Sequence, residues 1–207
     1  MDIFSYVLKI HNVDLHAVFP LLEQFYASID ARNAHNTQGL NLPCRSGCSH
    51  CCHECVFLTP LEFFYVWNFV QTHFSKSDQE TILLHGLALY GQYKDIIEAC
   101  NVPPTDPEKG HFEIVQNMRF ACPFLSTAGA CRVYPVRELY ARLFGCSFEK
   151  PGVVYGCHMV EGILAGQTVR LLSTQAVKSQ FRALPLTHMR QVYPYFMREI
   201  AQHQHSA

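Results

Sequence analysis

The chain has 207 residues, 49% hydrophobic and 16% charged, a balance that fits a folded domain with a real core and excludes extended disorder. A net charge of -1 excludes a global electrostatic pull toward nucleic acid or an anionic membrane surface. Ten cysteines and twelve histidines are the departures from an ordinary composition, and both side chains are metal-compatible.

Residues 1–20, MDIFSYVLKIHNVDLHAVFP, carry an acid at position 2, a late lysine and no continuous apolar stretch, so no secretory leader is expected. Asp14 is placed to cap a helix that presents Val18, Leu21, Leu22, Phe25 and Ile29 on one face. That helix should end before Gly39 and Pro43 and deliver the chain into Cys44. There the run CRSGCSHCCHEC puts five cysteines into twelve positions, 44–55.

Beyond it, Thr59-Pro60-Leu61-Glu62 combines a capping box with proline at the first helical position, predicting a helix to about Phe74. Its aromatic block FFYVWNF, 63–69, reads as core. The most apolar block, 56–70, contains Glu62 and Asn68 and falls short of a membrane span. Ser77-Asp78-Gln79-Glu80 is a second capping box opening a helix toward Cys100, with Gly86 and Gly91 weakening its middle. The three prolines of 101–110 predict a loop.

The texture then changes. CPFLSTAGACRVYP, 122–135, reads as a hairpin with strands at 124–125 and 132–134, bracketed by Cys122 and Cys131. Pro135 starts a short helix to about Phe144, and 145–157 is a loop framed by Cys146 and Cys157. Helices over 159–182 and 187–202 follow, broken at Leu184-Pro185. The expected architecture is therefore a single domain, 1–207, mainly α with a small β-hairpin. Its helical body holds a cysteine-rich metal-binding region at about 44–157, followed by a C-terminal helical segment at about 158–203.

Cys44, Cys48, Cys51 and Cys52 form C-x3-C-x2-C-C, and Cys122, Cys131, Cys146 and Cys157 supply a second set. Thiolate is the ligand for zinc or an iron–sulfur cluster rather than for magnesium or calcium. Without a secretory leader the compartment is expected to be cytoplasmic and reducing, where clustered cysteines serve metals more readily than disulfides. Adjacent Cys51 and Cys52 are expected to diverge, which suggests two metals or one ligand with a neighbouring thiol. Two four-sulfur sites and one larger cluster both fit the count. A tetrathiolate zinc also needs cationic neighbours, for which Arg45, Arg132, Arg137 and Arg142 stand beside the cysteines. Cys100 reads as a core residue, Cys55 as core or ligand, and His50, His53 and His158 as imidazoles able to replace a thiolate. Cys48, Cys52 and Cys55 also carry the C-x3-C-x2-C spacing of radical S-adenosylmethionine enzymes.

CRSGCSHCC followed by CPFL and GACRVYPVRELYARLFGC resembles the CxxCxxCC or YkgJ-like family of zinc- or iron-chelating proteins, over about residues 44–157. The resemblance implies ligand positions at Cys44, Cys48, Cys51, Cys52, Cys122, Cys131 and Cys146. Flagellin lysine N-methylases are similar over this cysteine domain, which implies a protein substrate as an alternative to simple metal binding. A zinc-stabilised interaction module with a protein partner is a further alternative. Where the family reads R-P-x-x-C-R, this chain has Arg137-Glu138-Leu139-Tyr140-Ala141-Arg142, so proline is replaced by Glu138 and a cysteine by Ala141.

Overall fold

Helices form in this chain where a short polar side chain satisfies the first free backbone N–H groups. The computed structural model describes residues 2–44, 47–101, 118, 120–150 and 152–204. Asp2 accepts from the amides of Phe4 and Ser5 and opens α1, Ile3–His11, a helix the sequence reading did not anticipate. Asp14 accepts from the His16 amide and opens α2, Leu15–Asn36. Val18, Leu22 and Ile29 of α2 are buried as expected, whereas Leu21 is 48% exposed and lies off the apolar face.

Thr59 and Glu62 form the expected reciprocal box at the start of α3, Pro60–His73. The aromatic block of α3 is core: Phe63 stacks on Trp67 and on Phe196, and Phe63, Phe64, Val66 and Trp67 are all buried. The next helix, α4, Lys76–Ala99, starts two residues before the expected box. Ser75 rather than Ser77 is its cap, accepting from the Asp78 amide at 3.1 Å. Gly86 lets α4 approach the C-terminal helix, because a Cβ there would lie 2.0 Å from Met197 Sδ. The expected loop at 101–110 lies, beyond Asn101, outside the described residues.

The second half is more broken than its sequence pattern implied. The hairpin at 122–135 reduces to one antiparallel bridge, Leu125 with Cys131, plus the bonds Arg132 N to Phe124 O and Ser126 N to Ala130 O. Residues Tyr134–Val136 are a 3-10 turn, and the helix expected from Pro135 is the separate short α5, Leu139–Leu143. The loop expected at 145–157 contains strands β2, Ser147–Lys150, and β3, Val153–Val154, paired antiparallel. The long helix expected over 159–182 is instead α6, His158–Leu164, then β4, Leu172–Ser173, then α7, Thr174–Phe181. Strand β4 lies parallel to β2, completing a three-stranded sheet of order β3-β2-β4. Strands β1, Phe57–Leu58, and β5, Gln191–Val192, pair antiparallel just before α3 and α8, Tyr193–Gln204. The described residues thus form a mainly α fold with small β elements. Among them no helix is long and apolar enough to cross a membrane.

One carboxylate joins these parts. Glu62 is fully buried; its Oε2 accepts from the Thr59 amide and hydroxyl, and its Oε1 accepts from the Leu139 amide at 2.8 Å and from Tyr26 Oη at 3.1 Å. Arg190 approaches the same group at 3.6 Å. Substituting Glu62 with alanine orphans several buried donors, and such losses cost about 3–5 kcal/mol. Urea unfolding of Glu62→Ala should therefore show a midpoint far below that of the parent chain. An unchanged midpoint would contradict the role assigned to this carboxylate.

Candidate functional site

The first half of the cysteine set is shaped by a tight turn. Gly47 takes φ +90°, and His50–His53 form a 3-10 helix closed by Cys52 N donating to Ser49 O. One backbone bond stitches this turn to the second half, as Cys122 N donates to Cys52 O at 2.7 Å. Gly129, in the turn after Cys122, comes close to the Gly47 carbonyl. Further on, Cys146 N donates to Leu143 O, and Gly145 at φ +76° brings the chain against Cys157. A Cβ at Gly145 would lie 3.1 Å from Cys157 Cβ and 3.0 Å from Val160 Cγ2, so this approach requires glycine.

Seven of the eight predicted cysteines, all but Cys146, line one cavity of about 80 Å³. That is more than a single water needs. Cys146 lies in a neighbouring cavity whose wall includes Cys44. Within this arrangement the thiols sort into two groups that cut across the sequence halves. The Cys52 thiol is hydrogen-bonded to the sulfurs of Cys131 and Cys51. These bonds hold Cys52 well above the ordinary thiol range and hold Cys131 and Cys51 below it. Cys122 is pushed up by burial and lies within the electrostatic reach of Cys131 and Cys51. The second group is Cys44, Cys48, Cys146 and Cys157. Burial pushes Cys44 up to about 11, with Cys146, Cys48 and Cys157 adding to the rise. The vicinal pair therefore does not diverge, since Cys51 and Cys52 are hydrogen-bonded neighbours within one group.

Among the described residues, no three His, Cys, Asp or Glu side chains are arranged to hold a metal ion as they stand. The first group is instead engaged in thiol hydrogen bonds, and all ten cysteines are free of disulfides.

The cations and imidazoles divide clearly. Arg137 lowers the thiols of Cys51 and Cys131 in one group and of Cys44 and Cys146 in the other, so its guanidinium serves both. Arg132 pairs with Asp78 and covers the Phe74 ring. Arg142 is committed to Asp30, to the carbonyls of Pro135 and Arg137, and to the face of Tyr26. It acts as a clamp that fixes the Arg137 segment. Arg45 lies outside the described residues. His50 Nε2 and His158 Nδ1 are 3.2 Å apart, and His50 lines the thiol cavity, whereas His53 is exposed. Cys55 packs instead with Cys100, Ile97 and Val192, away from that cavity.

Sequence reasoning missed Glu138 as a site residue. It is 5% exposed, lines the thiol cavity and accepts from Tyr193 Oη at 2.7 Å, while burial raises its carboxyl above the usual range. The signal was present, since Glu138 stands where the family resemblance has proline. Ala141, standing where the resemblance has cysteine, lines the same cavity. No protein-family model, curated protein or solved structure matches this chain.

Thiolate is the reactive form of cysteine, so these shifts predict an order of alkylation in the metal-free protein. Cys44 is exposed as a residue while its sulfur is held at about 11. Cys51 is partly buried but has a stabilised thiolate. At pH 8 iodoacetamide should label Cys51 before Cys44, with the order narrowing as pH rises toward 11. Peptide mass spectrometry reads the order, and labelling governed by exposure alone would reverse it.

Proposed function

We propose that this chain is a metal-binding protein that coordinates an iron–sulfur cluster or zinc through Cys44, Cys48, Cys51, Cys52, Cys122, Cys131, Cys146 and Cys157. The observation that carries the reading is the convergence of thiols from distant parts of the chain on one small cavity and its immediate neighbour. Reorientation of the thiols from hydrogen bonding to ligation is the step that metal would drive. The two groups of four match the stoichiometry of two four-sulfur sites.

The surroundings support the same chemistry. Four thiolates around a divalent ion leave a charge of about -2, which requires compensation in a buried setting. Arg137 supplies a guanidinium within reach of both groups. Glu138 and the His50–His158 pair offer oxygen and nitrogen donors beside the sulfurs, where the chain lacks the cysteine that the family resemblance would put at position 141. A reducing, cytoplasmic setting, where clustered cysteines serve metals more readily than disulfides, belongs to the same reading.

Anaerobic purification followed by metal analysis and a visible spectrum tests the reading. Bound metal is expected, with colour if it is an iron–sulfur cluster and none if it is zinc. With two independent sites, Cys122→Ser and Cys146→Ser should each lower the metal content by roughly half, because one four-ligand shell is broken at a time. A stably folded, colourless protein with no metal would overturn the proposal.

A further inference from the structure

The first thiol group, Cys51, Cys52, Cys122 and Cys131, is joined by backbone as well as by sulfur. Cys122 N donates to Cys52 O at 2.7 Å, Leu125 N donates to Cys122 O at 2.9 Å, and Leu125 forms an antiparallel bridge with Cys131. These main-chain contacts hold Cys131 beside the 3-10 turn that carries Cys52, and both side chains line the same cavity. Their sulfurs are hydrogen-bonded to each other. A buried thiol ordinarily packs as a small hydrophobe, whereas Cys52 is buried against two other sulfurs.

Covalent geometry separates those two neighbours. Cys51 and Cys52 are consecutive and joined by a trans peptide, so their Cα atoms stand about 3.8 Å apart. A disulfide usually spans about 4.4–6.8 Å between Cα atoms, which disfavours a link within this pair. Cys131 comes from a distant part of the chain and is free of that constraint. Cys122 meets Cys52 through its amide.

We infer that Cys52 and Cys131 are a disulfide-forming pair that responds to peroxide and, once joined, closes the first group to metal. The switch rests on the metal-binding reading of this group and adds its regulation. Cys131 is partly exposed and Cys52 is buried, so peroxide arriving from solvent meets Cys131 first. The Cys131 thiolate attacks one peroxide oxygen, the O–O bond breaks, and hydroxide leaves with a sulfenic acid formed at Cys131. The Cys52 sulfur then attacks the Cys131 sulfur, gives up its proton and expels the second oxygen as water. Two thiols lose two electrons and two protons, and one hydrogen peroxide becomes two waters. Cys51 and Cys122 remain, too few for a four-sulfur shell, while Cys44, Cys48, Cys146 and Cys157 keep theirs. Metal on the first group occupies both sulfurs, so the link forms in the metal-free state.

The full chain, stripped of metal by a chelator under reducing conditions, is treated with hydrogen peroxide, blocked with iodoacetamide and digested without reduction. Mass spectrometry should find Cys52 joined to Cys131 as the main linkage, with the sulfurs assigned by fragmentation. Cys51→Ser should leave that link in place, and Cys131→Ser should not transfer it to Cys51. The oxidised protein should take up about half the zinc of the reduced protein, and dithiothreitol should restore the rest. A dominant link at another pair, or zinc uptake unchanged by the Cys52–Cys131 link, would overturn the switch. Reduced protein that binds metal but forms no such link under millimolar peroxide removes the switch and leaves the metal reading intact. Reduced protein that carries no metal as purified and takes up no zinc removes the metal reading, and the linked peptides still decide the pairing.

Discussion

The fold is organised around the Glu62 carboxylate. A charge without access to water survives only where donors replace its hydration, and Glu62 has found them on three helices at once. The bond to the Thr59 amide starts α3, the bond to Tyr26 anchors α2, and the bond to Leu139 fixes the start of α5. Position 139 is where the chain leaves Arg137 and Glu138, two residues in the wall of the thiol cavity. A capping interaction that is ordinarily local thereby sets the geometry of a site far along the chain.

The thiol groups depend on a similar economy of means. The backbone bond from Cys122 to Cys52 brings the two halves of the cysteine set into register, and the left-handed Gly145 draws Cys146 toward Cys157. Arg142 ties α2 to the segment from Pro135 to Arg137 through its guanidinium and leaves Arg137 as the cation that acts on both groups.

Local signals were legible in the sequence, and long-range ones were not. The caps at Asp14 and Thr59 and the aromatic core of α3 follow from contacts within a few residues. The cap of α4 was misplaced by two residues because Ser75 and Ser77 offer the same hydroxyl, and only the chain's entry direction selects between them. Strand β4 escaped notice because two residues carry no periodicity; Leu172 and Ser173 are extended through pairing with β2. Seven of the eight cysteines singled out in the sequence line one cavity, but their sorting into groups was not legible there. That sorting depends on which loop meets which turn, and the chain spends more than sixty residues between Cys52 and Cys122. Glu138 was visible only as a departure from a family pattern, and its burial beside the thiols is a tertiary fact.

The Cys52–Cys122 link has a consequence for synthesis. Ribosomes add roughly 5–20 residues per second, so the first four cysteines emerge several seconds before the partners that complete either group. During that interval the nascent chain presents an unfinished, thiol-rich knuckle with no cavity around it. Each group needs members from both halves, so neither can close on the N-terminal segment alone. Assembly of the site is thereby deferred until translation is well advanced, and the risk of premature capture or oxidation falls on the emerging chain rather than on the folded protein.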